Sequence, residues 1–194
     1  MAFPPAHLLV GFGAAELTRA AYPLPRWRAW AVAGVLAVLP DVDIVLGRAL
    51  EVGFEYHGTF THSVTTTLIV ALVARLLAGP GWALLAASSY GSHLLVDLLD
   101  DRGQTNVMLG WPFSGEYAQA FARVFPPVPF EKGGGVVHAA LSLLQPHIFQ
   151  RLLLQTAVGA FFFFALVGIA WTLREARGWW EERDRREGGA AASK

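Results

Sequence analysis

The chain alternates long apolar stretches with short polar connections, and this pattern predicts an all-α fold. Residues 152–172 carry no charge and are bounded by Arg151 and Arg174, so this stretch is long enough to cross the hydrocarbon core of a bilayer. Trp171, near its end, suits the aromatic belt of a membrane interface. Four shorter apolar stretches precede it, at residues 6–22, 30–46, 64–78 and 82–99. We therefore predict an integral-membrane helical bundle of about four or five membrane-embedded helices.

Proline and glycine mark the ends of several stretches. Pro40 is expected to end or kink the second helix, and Gly79-Pro80-Gly81 predicts a tight turn between two antiparallel helices. Residues 100–150 form a long mixed segment that we expect to cover the outer side of the membrane domain. That domain is predicted to span residues 1–173, and a charged cytoplasmic tail follows at 174–194, the end of which we expect to fray.

The composition agrees with a membrane protein and excludes several functional classes. The chain is 54% hydrophobic and only 15% charged, whereas soluble domains carry about a quarter charged residues. A formal net charge of zero gives no reason to expect a nucleic-acid partner. The absence of cysteine excludes disulfides, a cysteine nucleophile and thiolate metal sites, so any metal would be held by nitrogen and oxygen ligands.

The distribution of basic residues predicts an orientation. With five alternating helices and a cytoplasmic C-terminus, ten of the 15 basic residues lie in inside segments and five in outside segments, which is the excess that the positive-inside rule expects. The same arrangement places the polar residues described next toward the outer face. We therefore predict a multi-pass membrane protein with an extracytoplasmic site.

Six ionisable residues lie in or beside the apolar stretches, where an unpaired charge is costly. They are Asp41, Asp43, His57, His62, His93 and Asp97. Imidazole and carboxylate groups are the ligands of hydrolytic Zn, Mn or Fe centres, so these residues predict a divalent-metal site. His7, at the start of the first stretch, is a further candidate, and Glu131 offers a late carboxylate ligand.

The spacing of the histidines supports a shared site. His93 and Asp97 are four residues apart, so on a helix they lie on one face and can reach one ion. The alternative is a structural His–Asp hydrogen bond inside a bundle. His57 and His62 are five apart and do not share a helical face. We expect a loop histidine followed by a histidine at the start of a helix that Thr61 or Ser63 caps.

Asp41 and Asp43 flank Val42 directly after Pro40. Alternate residues of an extended turn point in opposite directions, so one of the two carboxylates is expected to bind the first ion. Asp43 or His57 is then the candidate general base, or the group that orients the attacking water. The alternative is a solvated helix end with an aspartate at the cap position.

Five motifs follow one another along the chain. They are His7-Leu8-Leu9, Leu39-Pro40-Asp41-Val42-Asp43, His57-Gly58-Thr59-Phe60-Thr61-His62-Ser63, Ser92-His93-Leu94-Leu95-Val96-Asp97 and Gly110-Trp111-Pro112-Phe113. This ordered set, which covers about residues 7–113, resembles the YdjM-type family of LexA-regulated, inner-membrane, metal-dependent hydrolases. The resemblance implies an all-helical fold and a zinc-type hydrolytic centre distantly similar to that of zinc-dependent phospholipase C.

The resemblance also nominates the metal ligands, which are His7, Asp41, Asp43, His57, His62, His93 and Asp97. The chain departs from the family's usual His-Arg-Gly-x-Thr-His-Ser, because Gly58 and Thr59 stand in place of Arg-Gly. The loss of that arginine removes a fork suited to binding phosphate.

Together these observations predict a membrane-bound metal-dependent hydrolase. Two or three divalent ions, zinc first and Mn or Fe as alternatives, would activate a water molecule. The water would attack an ester or phosphoester of an amphiphilic, lipid-like substrate, and the other partner is the lipid bilayer. A metal- or proton-handling transporter and a non-catalytic membrane scaffold are the alternatives, because His–Asp clusters at membrane depth also occur in those roles.

Overall fold

A computed structural model describes residues 3–50, 56–100, 107–118, 122–126 and 143–192. Within these ranges the protein is helical, without a β-strand, and an isolated bridge joins Asp100 to Phe125. The α-helices are α1 Pro4–Leu17, α2 Arg26–Val38, α3 Val42–Ala49, α4 Val64–Ala78, α5 Pro80–Leu98 and α6 Pro146–Ala192. The prediction of an all-α fold is confirmed for the described residues.

Proline divides the apolar stretch predicted at residues 30–46 into two helices. α2 ends at Val38, and residues Leu39–Asp41 form one 3-10 turn before α3 begins. Pro40 lies inside this turn and has no N–H with which to continue the helix. The carbonyls at the end of α2 are therefore available to other donors.

The limits of α4 follow from its flanking residues. The side chain of Ser63 caps the helix by accepting a hydrogen bond from the Thr66 backbone N–H at 3.0 Å. Gly79, with φ of +96°, ends the helix, and Pro80 opens α5 directly afterwards. Proline is favourable at the first helical position because its missing N–H would be unpaired there. The predicted turn between two helices is thus present.

α1 lies at the centre of the bundle, where it packs against α2, α5 and α6, while α4 packs on α5. A glycine allows the closest approach of α1 to α2. A Cβ atom at Gly11 would lie 2.5 Å from the Cβ of Ala37 and 3.7 Å from Ser92 Oγ, so a larger residue there would push α2 away from α1 and α5.

Two segments are long and apolar enough to cross a membrane, Arg26–Gly47 and Pro146–Arg183, and α4 is apolar but shorter. Much of the α6 surface is apolar and exposed, as at Phe161 and Phe164. The structure thus supports two spanning segments by length and composition, fewer than the four or five embedded helices predicted from sequence. The charged tail predicted at residues 174–194 continues α6 as far as Ala192.

Candidate metal centre

The structure brings all seven predicted site residues to one end of the bundle, which we call the site end. α1, α4 and α6 begin at this end, and α2 and α5 finish there. The opposite end, with Glu16 and the Gly79–Gly81 turn, is the far end. The seven residues are His7 in α1, Asp41 and Asp43 after α2, His57 and His62 before α4, and His93 and Asp97 in α5.

Four of these side chains point polar atoms at one another. The Nε2 atoms of His62 and His93 are 3.1 Å apart. Asp41 Oδ1 lies 3.6 Å from both nitrogens, and Asp97 Oδ2 lies 3.6 Å from His62 Nε2 and 3.3 Å from His93 Nε2. Ligand atoms placed about 2.1 Å from a tetrahedral zinc ion are about 3.4 Å apart. The spacing of His62, His93 and Asp41 therefore fits three ligands of one ion. Asp97 lies within 3.6 Å of both imidazole nitrogens, and we call these four residues the four-residue cluster.

The hydrogen bonds of the two imidazoles determine which nitrogen of each ring carries the lone pair. His93 Nδ1–H donates to the carbonyl of Ala37 at 2.7 Å, one of the carbonyls left at the end of α2. Thr61 Oγ1 donates to Asp43 and therefore accepts from His62 Nδ1–H, at 2.9 Å. In the neutral rings both Nε2 atoms then carry lone pairs, and these lone pairs face each other.

A positive charge between the two rings resolves this repulsion. Burial acts to lower the pKa of His62, which lies outside the two apolar spans. Its contacts with the carboxylates of Asp41 and Asp43 outweigh burial and raise the pKa to about 9. Either a proton on His62 or a metal ion can supply the required charge. Imidazole and carboxylate ligands together are typical of zinc and related ions.

Several buried polar atoms at the site have no hydrogen-bond partner among the described residues. They are both ring nitrogens of His7, Asp41 Oδ1 and Asp97 Oδ1. Buried polar side chains are nearly always hydrogen-bonded, and an unsatisfied one costs about 1–3 kcal/mol. Divalent cations would satisfy the two carboxylate oxygens and the unprotonated nitrogen of His7, so the residues present fit a metal ion.

His7 lies at the edge of the four-residue cluster. Its ring stacks on that of His93, with centroids 3.9 Å apart and an interplanar angle of 14°. Its Nε2 lies 3.7 Å from Asp97 Oδ1, the oxygen that faces away from His62 and His93. His7, His93 and Asp97 together form a second group that could hold an ion.

Asp43 differs from Asp41 because both of its oxygens already accept hydrogen bonds. His57 Nδ1 lies 2.8 Å from Asp43 Oδ1, while Thr61 Oγ1 donates to Oδ2 at 2.6 Å and the Gly58 N–H donates at 3.3 Å. Asp43 Oδ2 is 3.3 Å from His62 Nδ1, the nitrogen on the far side of the ring from His93. Asp43, His57 and His62 could also hold an ion, but these hydrogen bonds fit Asp43 better as a support for His62.

The comparison with known families identifies the family of the chain. The sequence model of the YdjM inner membrane protein family matches residues 1–177. The chain belongs to this family. The match includes all seven predicted site residues and most of α6, and its inner-membrane description agrees with the two apolar spans. Neither a curated protein nor a solved structure shows a significant match.

Three hydrogen-bonding groups around the site were not predicted from the sequence. Thr61 was a candidate helix cap, but Ser63 caps α4 and Thr61 instead joins Asp43 to His62. Tyr90 is buried and donates to the Thr61 carbonyl at 2.6 Å. The hydroxyl one residue before His62 was visible in the sequence, whereas the role of the Ala37 carbonyl required the tertiary structure.

The described part of the predicted outer segment lies beside the site. Residues 107–118 are attached to the loop before α4, because Met108 N–H donates to the Gly58 carbonyl at 2.7 Å and Val64 N–H to the Leu109 carbonyl at 3.1 Å. Phe113 is 89% exposed. Glu131, the proposed late ligand, lies outside the described residues.

Proposed function

We propose that this YdjM protein is a membrane-bound, metal-dependent hydrolase that acts on an ester or phosphoester of an amphiphilic, lipid-like substrate. The observation that carries the proposal is the 3.1 Å approach of two buried imidazole nitrogens between two carboxylates. Such an arrangement is stable only around a positive charge. The proposed orientation places the site on the extracytoplasmic side of the inner membrane, with the end of α6 in the cytoplasm.

The four-residue cluster would hold the first ion, and zinc is the ion that its nitrogen and oxygen donors favour, with Mn or Fe as alternatives. A second ion would lie between His7 and Asp97, whose two carboxylate oxygens face His7 and the imidazole pair respectively. The ions would supply a bound water of lowered pKa and polarise the scissile oxygen.

His57 is the residue that we propose as general base. It donates from Nδ1 to Asp43 Oδ1 at 2.8 Å, which leaves Nε2 as its basic nitrogen. A carboxylate behind an imidazole fixes the orientation of the ring. The rings of His57 and His62 are in edge contact, with centroids 4.7 Å apart, so this base would lie beside a ligand of the proposed ion.

Elemental analysis of detergent-purified protein tests the metal centre. We expect a stoichiometric divalent metal in the natural protein and less than a tenth of it in the His93→Ala/Asp97→Ala double variant. The matched control is His147→Ala/Glu116→Ala, which removes one imidazole and one carboxylate that are exposed. A metal-free natural protein, even after incubation with zinc, would overturn the proposal, and equal loss in the control would show that the metal lies elsewhere.

A hydrolysis assay then tests the chemistry. A panel of long-chain phosphodiester and carboxylic ester lipids in mixed micelles should include one that the metal-loaded protein cleaves and that the His93→Ala/Asp97→Ala variant does not. Metal binding without cleavage of any panel member would favour a different role for the same site.

One observation favours ion handling as the second candidate. Ser89, one turn before His93 on α5, is fully buried, and its hydroxyl has no hydrogen-bond partner among the described residues. It extends the polar groups of the site toward the middle of the bundle, as a proton or ion path would require. Zinc or proton flux into protein-containing liposomes, reduced by Ser89→Ala, would support this alternative over hydrolysis.

A further inference from the structure

The depth of the site in the membrane can be estimated from the alignment of α1 with α6, the longer apolar helix. The Phe3 N–H donates to Gln155 Oε1 at 2.7 Å, and a Cβ atom at Gly159 would lie 3.0 Å from Ala6 Cα. Farther along, a Cβ at Gly13 would lie 2.8 Å from Leu166. Because the contacts advance together along both chains, the two helices run parallel.

In this register His7 is level with Ala160 of α6. Ala160 lies eight residues into the charge-free stretch that begins at Leu152, a distance of about 12 Å along the helix. That stretch is about as long as the hydrocarbon layer is thick, about 30 Å. His7, and the His93 ring stacked on it, therefore lie well below the edge of the layer at the site end.

The length of α4 gives a second estimate of the depth of the site in the membrane, measured from the far end. Charged residues mark the far edge of the layer, where Arg26 and Arg174 approach Glu16. The turn before α5 lies at this edge, since Gly81 packs against the backbone of Ala21. α4 has 15 residues, about 22 Å, so its first residue ends about 8 Å short of the other edge of a 30 Å layer. His62 lies two residues before Val64.

The site opens between apolar side chains. Asp41 is the most accessible member of the four-residue cluster, with its side chain 17% exposed against 0–6% for the others. Its neighbours Leu39 and Val42 are exposed apolar residues, and so is Val45 one turn farther on. An exposed apolar surface of this kind is typical of contact with lipid.

We propose that the metal centre lies inside the hydrocarbon layer, about 8–12 Å below its nearer edge, and that its substrate is a lipid of the same membrane that enters beside Asp41. A water-soluble phosphoester would have to leave water to reach such a site, whereas a bilayer lipid can enter from the side and need only lower its glycerol region from the edge of the layer to the site. The chemistry rests on the proposed function, but the depth does not.

Spin labelling tests the depth without reference to metal or activity. The chain has no cysteine, so single cysteines can be introduced at exposed positions and labelled with a nitroxide. The protein is reconstituted into phosphatidylethanolamine–phosphatidylglycerol vesicles, and collision with oxygen and with a water-soluble nickel chelate gives the depth of each label. The positions are Val64→Cys and Leu68→Cys on α4, and Leu153→Cys and Phe161→Cys on α6.

We expect the Val64 label to lie between the Leu153 and Phe161 labels, about 6 Å deeper than the Leu153 label, with the Leu68 label about 6 Å deeper still. A Val64 label at the depth of Leu153 would overturn the proposal, and the Leu68 label gives the same answer if the Val64 variant does not fold. A label at Val42→Cys should collide with oxygen more than with nickel. The reverse result would show a water-filled entrance and overturn the lipid route.

The outcomes separate this inference from the proposed function. A metal-loaded protein with shallow labels would retain the hydrolase proposal and remove the intramembrane site. Deep labels in a protein that never binds metal would retain the depth and remove the hydrolase. Only deep labels together with a bound metal and an oxygen-accessible Val42 position support both.

Discussion

The two ends of the bundle bury carboxylates in different ways. At the far end Glu16 is 3% exposed, yet its Oε1 accepts hydrogen bonds from Arg26 Nε at 2.7 Å and Trp30 Nε1 at 2.8 Å. Its Oε2 lies 3.9 Å from Arg174. At the site end the ion pairs of Asp41, Asp43 and Asp97 are all to histidine.

The difference lies in the source of the positive charge. A buried carboxylate needs a cation or several donors, because burial without them is costly. The far end supplies permanent cations from its own side chains, and these tie α1 to α2 and α6. The site end supplies imidazoles, which become metal ligands when they lose a proton. A buried carboxylate can therefore stabilise the fold or bind an ion. Arginine partners indicate the first role, and histidine partners indicate the second.

Removal of the metal is expected to lower the stability of the protein more than any other change considered, because the site end would lose its positive charge. A ligand present at a thousandfold its dissociation constant stabilises a protein by about 4 kcal/mol, which corresponds to a fall of about 8–16 °C in melting temperature when it is removed. Tryptophan fluorescence with and without a chelator measures this fall. The His93→Ala/Asp97→Ala variant should not respond, and an equal fall in it would place the chelator's action elsewhere.

The variants Asp41→Asn and Asp43→Asn should distinguish a direct metal ligand from a residue that holds a ligand in place. Loss of Asp43, which holds His62 from behind, is expected to weaken metal binding about 10- to 100-fold, whereas loss of the direct ligand Asp41 should weaken it further. Titration with Co²⁺ reports both affinity and coordination, and the Asp43→Asn variant should keep the tetrahedral visible spectrum of the natural protein. A weaker effect at Asp41 than at Asp43 would reverse the assignment.

Glu16→Gln should destabilise the bundle without changing its metal content. Because Arg26 is 59% exposed, solvent screens the pair, and we expect a loss of about 1–2 kcal/mol, less than for a fully buried pair. Chemical unfolding in detergent measures this loss, and the exposed Glu175→Gln is the matched control. If Glu16→Gln released the metal, the two ends would not be independent.

The pH dependence of metal binding tests whether His62 holds a proton in the metal-free site. The ion must displace the proton that His62 retains up to a pKa of about 9. Apparent affinity should therefore rise about tenfold per pH unit below that value and level off above it. Calorimetry in two buffers with different ionisation enthalpies counts the proton released. No release at pH 7 would contradict the raised pKa of His62, and His147→Ala should release as many protons as the natural protein.

The sequence predicted the helices and the family more fully than the site. The limits of α4 agree with the apolar stretch at residues 64–78, because Ser63 and Gly79 are strong local end signals. The family prediction, made from residues 7–113, is confirmed over residues 1–177. The sequence did not predict that α6 continues into the charged tail, where Arg183 contacts the ring of Trp180.

Sequence alone determined which chemical groups were available, because an ionisable residue in an apolar stretch requires a partner wherever it lies. It could not decide between Asp41 and Asp43, which have the same side chain two positions apart. The tertiary structure decided this, since Pro40 ends the helix so that one carboxylate faces His62 and His93 and the other reaches His57 and Thr61. Such assignments depend on contacts between residues distant in sequence, including the Ala37 carbonyl, and local patterns carry no information about them.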